Sequence, residues 1–203
     1  MKRYSISILM TILSLLLIKD SWAYDDIKTH PSLTQIAVQS HSNLNQILDG
    51  HLGINDGLLQ IYKGKTVIEL LEAGSKEEDR NARALNHFYN PLFDIYGREA
   101  ALDNLLFNSD ISNPEWALNI SLTDWVPPEE CTEGDHLKDN DHNDYSWTMA
   151  RNSFYDALTT KDPAEREQHF YNLFFRLGHV LHMIQDMAVP AHTRNDMEVG
   201  HLS

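Results

Sequence analysis

Cysteine and positive charge are both scarce in this chain of 203 residues. Cys131 is the only cysteine, so no intrachain disulfide can form, and stability must come from the core or from a bound metal. The 16 Lys and Arg face 30 Asp and Glu, which gives a formal net charge of −14. So acidic a surface repels phosphate backbones, which excludes broad electrostatic binding to nucleic acid unless bound metals reverse the local field.

Long hydrophobic runs are absent except near the N-terminus. Residues 6–18 are apolar and follow Lys2 and Arg3, and residues 21–23 (Ser-Trp-Ala) place small side chains at −3 and −1 of a cut before Tyr24. The run is short for a membrane span, so residues 1–23 are predicted to be a secretory signal peptide. The product is therefore expected to be secreted or periplasmic.

Two alternatives to this cut are a cut before Trp22 and an uncleaved anchor. A cut before Trp22 puts Lys19 at −3, which the small-residue rule disfavours. Removal of residues 1–23 leaves 180 residues, and the charge becomes −16 because three cations and one anion leave. That length suits one domain, predicted over residues 24–203.

Runs of alternating apolar and polar residues, the mark of β-strands, are also missing. Apolar residues recur instead at helical spacing, which predicts an all-α, multi-helix single domain. Thr66 and Glu69 predict a capping box, and Gly74 is a predicted helix stop. Trp147 and Ala150 begin a stripe predicted as ordinary core. The helices are predicted from Pro31, after Thr66, over 100–107, near Trp147, and from Pro163 to about Val189.

The predicted last helix carries potential metal ligands. His182, Asp186 and His192 form an H-x-x-x-D-x-x-x-x-x-H array, with His179 one turn before it. Residues 179, 182 and 186 fall within roughly 60° of one another on a helical wheel, so their side chains can converge on one cation. Pro190 is predicted to stop the helix, and His192 lies in the turn beyond it.

Two further groups extend this ligand set. His30 stands six residues after the predicted new N-terminus, where the amine and carbonyl of Tyr24 can share a metal with it. Asp79 and His87 supply an acid and an imidazole eight residues apart. Each group alone is also typical of a surface or capping residue. Together with the array they give the nitrogen and oxygen ligands that zinc accepts.

At these residues the chain resembles the superfamily of zinc-dependent phospholipases C and single-strand-specific nucleases. The resemblance implies an all-helical fold with three Zn²⁺ ions at the bottom of a cleft. By similarity, a first zinc is held by Asp79, His87, His182 and Asp186, and another by Tyr24, His30 and the bridging Asp186. His192 is implied for the remaining zinc, with His201 as its candidate second ligand.

The resemblance also implies hydrolysis of a phosphodiester, in which a zinc-bound hydroxide attacks phosphorus and Asp79 and Asp186 are catalytic. The acidic surface and the Thr29-His30 pair near the predicted mature N-terminus favour a phospholipid headgroup over single-stranded nucleic acid as the substrate. Transient contact with a membrane surface is expected with such a substrate. No protein partner is inferred. The alternatives are a single-strand-specific nuclease of the same superfamily and a secreted, non-catalytic, metal-binding helical module.

The chain departs from the family pattern at three points. Its predicted first residue is Tyr24 where members usually have tryptophan. The short interval from Asp79 to His87 leaves Glu78 as a possible substitute ligand. His201 has no acid after it before Ser203, so the chain is expected to be a fragment with an incomplete third site. His179, outside the family pattern, is expected to support a ligand by hydrogen bonding.

Overall fold

The protein is described by a computed structural model, which defines residues 26–89, 111–119, 143–190 and 192–193. These residues are mostly helical, which confirms the predicted all-α class. A π-helical turn (Ile47–His51) and two 3₁₀-helices (Gly57–Leu59 and Asn81–Asn86) complete the helical structure. The six α-helices of the described residues are α1 (Asp26–Ser40), α2 (Leu44–Gln46), α3 (Val67–Glu77), α4 (Asn113–Leu118), α5 (Trp147–Thr159) and α6 (Pro163–Asp186).

One small hairpin precedes α3. Strand β1 (Ile61–Tyr62) pairs antiparallel with β2 (Lys65–Thr66), and Ile61 lies opposite Thr66. Lys63 and Gly64 form the two-residue turn with φ of 51° and 80°, as a tight hairpin turn requires. Strands of two residues are too short to give an alternating pattern, so the sequence did not predict them.

Helix α1 begins earlier than predicted. It starts at Asp26, so Pro31 lies inside the helix and not in its first turn. The apolar side chains of α1 do not mark its buried face, because Ile36 is 61% exposed while His30, Thr34 and Val38 are buried. These three residues are spaced by four, so one face of α1 points into the molecule. That face brings His30 toward the centre of the fold.

Helix α3 begins where the sequence predicted and ends later. The Thr66 hydroxyl accepts a hydrogen bond from the Glu69 N–H at 3.3 Å, and the Thr66 N–H donates to the Glu69 carboxylate at 2.7 Å, which confirms the capping box. The predicted stop at Gly74 is wrong, since α3 continues to Glu77. A side chain on Gly74 would lie 2.0 Å from the Phe175 carbonyl, so this glycine allows α3 to cross α6 closely.

The hydrophobic core lies between α3, α5 and α6 and the turns that follow α1. It includes Val67, Leu70, Ala150 and Phe174. Trp147 was predicted as core, but it is 41% exposed at the first turn of α5. No helix among the described residues is long and apolar enough to cross a membrane. The predicted signal peptide (residues 1–23) and the helix predicted over 100–107 lie outside the described residues.

Candidate metal centre

Helix α6 supplies the middle of the site. Asp162 caps its N-terminus by accepting hydrogen bonds from the N–H groups of Ala164 and Glu165, both at 2.9 Å. The helix ends at Asp186, three residues before the predicted end. His182 and Asp186 lie one turn apart and are fully buried. His182 and Asp186 are therefore on one face of α6, as their spacing predicted, while His192 lies beyond the end of the helix.

Four imidazoles surround the Asp186 carboxylate, two at each oxygen. Oδ1 lies 3.3 Å from His30 Nε2 and 3.3 Å from His192 Nδ1. Oδ2 lies 2.7 Å from His87 Nδ1 and 3.1 Å from His182 Nε2. The chain thus brings together residues from α1, from the segment after the second 3₁₀-helix, from α6 and from the turn after it. His192 joins the same cluster through Asp186.

Hydrogen bonds orient two of these imidazoles. The Nδ1–H of His182 donates to the Ser75 carbonyl at 2.7 Å, which leaves Nε2 facing Asp186. The Nδ1–H of His30 donates to Gln185 Oε1 at 2.8 Å, and the Gln185 amide donates to Thr34 at 2.8 Å. A histidine whose outer N–H is held in this way presents its other nitrogen as a ligand.

The segment that carries His87 is fixed by backbone hydrogen bonds. The Asn113 side-chain amide donates to the carbonyls of His87 at 3.3 Å and of Met183 at 3.1 Å. The N–H of Tyr89 donates to the His192 carbonyl at 3.0 Å. These bonds connect the His87 segment to α6 and to the turn containing His192, so they hold the two histidines next to each other.

Asp79 and Glu78 take different roles. Asp79 Oδ1 lies 3.3 Å from His182 Nε2 and 3.5 Å from His87 Nδ1, so this carboxylate faces the cluster. Glu78 is fully buried beside it and its oxygens are already engaged. Its three hydrogen-bond donors are Arg83 at 2.5 Å, Trp116 at 2.8 Å and His179 at 2.5 Å.

These contacts distinguish the candidate metal ligands from the residues that hold the ligands in place. Asp79 offers an oxygen to the same space as His87 and His182, whereas Glu78 approaches His87 only at 3.6 Å. His179 donates through Nδ1 to Glu78 and stacks on Tyr145, with ring centroids 4.3 Å apart. His179 therefore supports the site through Glu78, in the way expected from its position.

The donor atoms are suited to a cation. Neither Asp186 oxygen accepts an aligned hydrogen bond despite the short contacts around it, and His182 Nε2 also has no hydrogen-bond partner. Buried polar atoms without partners are costly, and a shared cation satisfies several at once. Two overlapping groups have all their ligand atoms within 4.8 Å of one another: His30 with Asp79 and His182, and His87 with His182 and Asp186. Buried histidine and aspartate groups of the chain can thus hold a metal ion.

The charge balance at the site also favours a cation. Burial opposes charge on His87, but Asp186 and Glu78 outweigh burial and raise the pKa of His87 to about 9. Burial likewise opposes charge on His182, yet Asp186 and Asp79 raise its pKa to about 10. Burial would raise the pKa of Asp186, but its imidazole neighbours hold that pKa well below the usual range. Without metal, protons on two histidines therefore balance the carboxylates.

Two proposed ligands, Tyr24 and His201, lie outside the described residues. The support around the cluster was largely missed by sequence reasoning, which did not identify Arg83, Asn113 or Gln185. Gln185 lies three residues after His182, so helical spacing was a signal for it. Asn113 acts through backbone carbonyls of distant segments, and no sequence pattern encodes such contacts.

Comparisons of the chain with protein-family models, with curated proteins and with solved structures give no match. A functional assignment therefore depends on the chemistry of the residues around Asp186.

Proposed function

We propose that this chain is a secreted, zinc-dependent phosphoric-ester hydrolase similar to the phospholipases C. The observation that carries the proposal is the buried Asp186 carboxylate with two imidazoles at each oxygen. Such a carboxylate, together with the histidines beside its two oxygens, would supply ligands for two cations. The resemblance of its sequence motifs to the phospholipase C and nuclease superfamily agrees with this arrangement.

Zinc suits the donor set because neutral imidazole and carboxylate are among its usual ligands. His87, His182, Asp186 and Asp79 would hold one ion, His30 and Asp186 a second, and His192 a third. Tyr24 and His201 remain proposed ligands. When bound, zinc lowers the pKa of a coordinated water and neutralises charge on a phosphate.

The protein residues would position the metal ligands and the attacking water. Asp186 fixes the spacing of the two groups of ligands from a fully buried position at the end of α6. Asp79 is 21% exposed, so it is the carboxylate of the cluster that substrate can reach from solvent. We assign to Asp79 the orientation of the attacking water and the acceptance of its proton. Ser75 and Gln185 hold His182 and His30 in the required tautomers.

A phospholipid headgroup is the favoured substrate class. Nuclease action on unpaired bases requires exposed aromatic rings for stacking. Beside the cluster, Trp116 does not provide one, because it is 8% exposed and its indole N–H donates to Glu78. The net charge of −14 also opposes binding of a polyanion, whereas a zwitterionic headgroup is not strongly repelled.

The test is hydrolysis by the zinc-loaded chain of three substrates: a chromogenic choline phosphodiester, a phosphomonoester and single-stranded DNA. We expect cleavage of the choline phosphodiester, and a loss of at least about a hundredfold in Asp186→Asn because one change disturbs two groups of ligands. Asp156→Asn on α5, a half-exposed carboxylate outside the cluster, is the matched control and should keep the wild-type rate. Preferential cleavage of DNA would identify a nuclease. Zinc binding with no hydrolysis would identify a metal-binding module.

A further inference from the structure

A cavity adjoins the hydrophobic core of the described residues. This cavity of about 370 Å³ opens among α2, α3, α5, α6 and the π-helical turn. Its volume falls in the range of about 300–1,000 Å³ typical of small-molecule sites. None of the described candidate metal ligands lines it. This space, called here the apolar cavity, is therefore separate from the metal centre.

The walls of the apolar cavity offer almost no hydrogen-bonding groups. Of its 16 lining residues, 15 are nonpolar and the other is Arg151. Ala150 and Phe174 lie at buried positions, so the cavity reaches into the core. A polar ligand would lose its hydrogen bonds to water on entering such a space and regain none. The walls accordingly select an aliphatic group.

The polar groups of the apolar cavity are gathered on one helix. Trp147 and Arg151 are one turn apart on α5 and both are exposed, while Ala150 between them is completely buried. Residues four apart on a helix share a face, so the indole and the guanidinium lie together where the cavity meets solvent. Ile47, 41% exposed, also lines the cavity.

Arg151 determines the charge of the ligand. It is the only charged residue of the lining, and no ion pair joins it to another residue of the described ranges. In a chain of net charge −14, a cation without an acid partner beside an apolar cavity is complementary to an anion. The planar guanidinium matches a carboxylate in particular, because it can donate two parallel hydrogen bonds.

We propose that the apolar cavity binds a monomeric long-chain carboxylate. The aliphatic chain occupies the space between α3, α5 and α6, and the carboxylate pairs with Arg151 at the solvent side. Trp147 covers the first part of the chain with its ring. This site does not depend on the phosphodiesterase activity proposed above or on bound zinc.

The test is titration of the full chain, free of metal, with octanoate, decanoate and dodecanoate below their micelle concentrations. Binding is followed by calorimetry and by tryptophan fluorescence. Each added methylene should strengthen binding about fourfold while the chain lies inside the cavity. Arg151→Gln should weaken dodecanoate binding about tenfold and leave dodecanol binding unchanged. Lys161→Gln, a cation-to-amide change beyond the end of α5, is the matched control and should have no effect.

Two cavity-filling variants complete the test. Ala150→Phe fills the buried part of the cavity, and Leu44→Trp fills it from the short helix α2, where a larger side chain is better tolerated. We expect at least one folded variant to lose dodecanoate binding. The proposal is overturned if the wild-type chain does not bind dodecanoate, if affinity is independent of chain length, or if dodecyltrimethylammonium binds as tightly. Wild-type affinity in both folded filling variants would also overturn it.

Discussion

At the scale of single residues, Glu78 shows how the site is held in shape. Its buried carboxylate accepts hydrogen bonds from Arg83, Trp116 and His179, which belong to three different segments. Burial would raise the pKa of Glu78, but His179, His87 and Arg83 hold it well below the usual range. Glu78 is therefore charged, and it anchors the chain immediately before Asp79.

Replacing Glu78 by glutamine should destabilise the protein. Glutamine has nearly the same shape as glutamate, but its NH₂ group cannot accept a hydrogen bond from Arg83, Trp116 or His179. At least one of these buried donors therefore loses its acceptor, and Arg83 also loses its counter-charge. Breaking a buried pair in this way costs about 3 kcal/mol. Chemical denaturation measures the change, and Glu77→Gln next to it is the matched control, since Glu77 pairs with Arg80 in a largely solvent-exposed contact. Equal stability of the two variants would contradict this role of Glu78.

Zinc affinity should rise with pH. With pKa values of about 9 and 10, His87 and His182 both carry protons at neutral pH in the metal-free protein. Zinc binding requires the loss of those protons, so its affinity should increase by up to about a hundredfold per pH unit below pH 9. Competition with a chelator of known affinity measures this between pH 6.5 and 8.5. An affinity independent of pH would show that these histidines are not ligands.

In the metal-free protein, the same histidines should make the fold less stable as the pH rises, whereas zinc affinity should increase. Their pKa values are raised above the unfolded value of 6.5, so their stabilisation is complete below pH 6.5 and is lost as the pH rises through 9 and 10. The carboxylates Asp186 and Glu78, whose pKa values are lowered, stabilise the fold above their usual pKa and lose that contribution in acid.

At the scale of elements, the crossing of α3 and α6 positions the metal centre. Gly74 and Gly178 face each other there, and a side chain on Gly178 would lie 2.2 Å from the Leu71 carbonyl. The candidate ligands Asp79, just after α3, and His182, within α6, are brought 3.3 Å apart by this close approach.

Gly74→Ala and Gly178→Ala should therefore separate the helices. We expect a lower melting temperature and weaker zinc binding together, because the added methyl group meets backbone atoms that cannot rotate away. Gly50→Ala is the control, since nothing lies within 4 Å of its added carbon. Calorimetry and zinc titration of all three variants test this, and a normal zinc affinity in both crossing variants would count against it.

The sequence predicted the elements better than their contacts. Local signals sufficed for the capping box at Thr66 and the start of α6 at Pro163, since both depend on residues close in the chain. Gly74 was wrongly predicted to end α3. A glycine is needed there because α6, about 100 residues later in the chain, crosses α3 at that point. The array on α6 was readable from spacing, whereas the supporting bonds of Asn113 and Arg83 arise only from the tertiary structure.

At the scale of the whole molecule, bound metal should contribute to stability. The candidate ligands come from α1, α6 and the segments after α3, so they converge only in the folded chain, and an ion that binds them stabilises the fold. At free zinc about a hundredfold above the dissociation constant, binding adds about 2.7 kcal/mol. For a chain of this length that corresponds to a rise of about 5–10 °C in Tm. Calorimetry with zinc and with a chelator measures it, and an unchanged Tm would contradict coupling of metal to the fold.

The central claim is that Asp186 joins two groups of metal ligands. Equilibrium dialysis followed by metal analysis tests it directly, with wild-type chain, Asp186→Asn and the control Asp156→Asn. We predict at least two zinc ions per wild-type and control chain, and the loss of tight binding at both positions in Asp186→Asn. A folded Asp186→Asn variant that binds as much zinc as the wild type, with the same affinity, would contradict the claim.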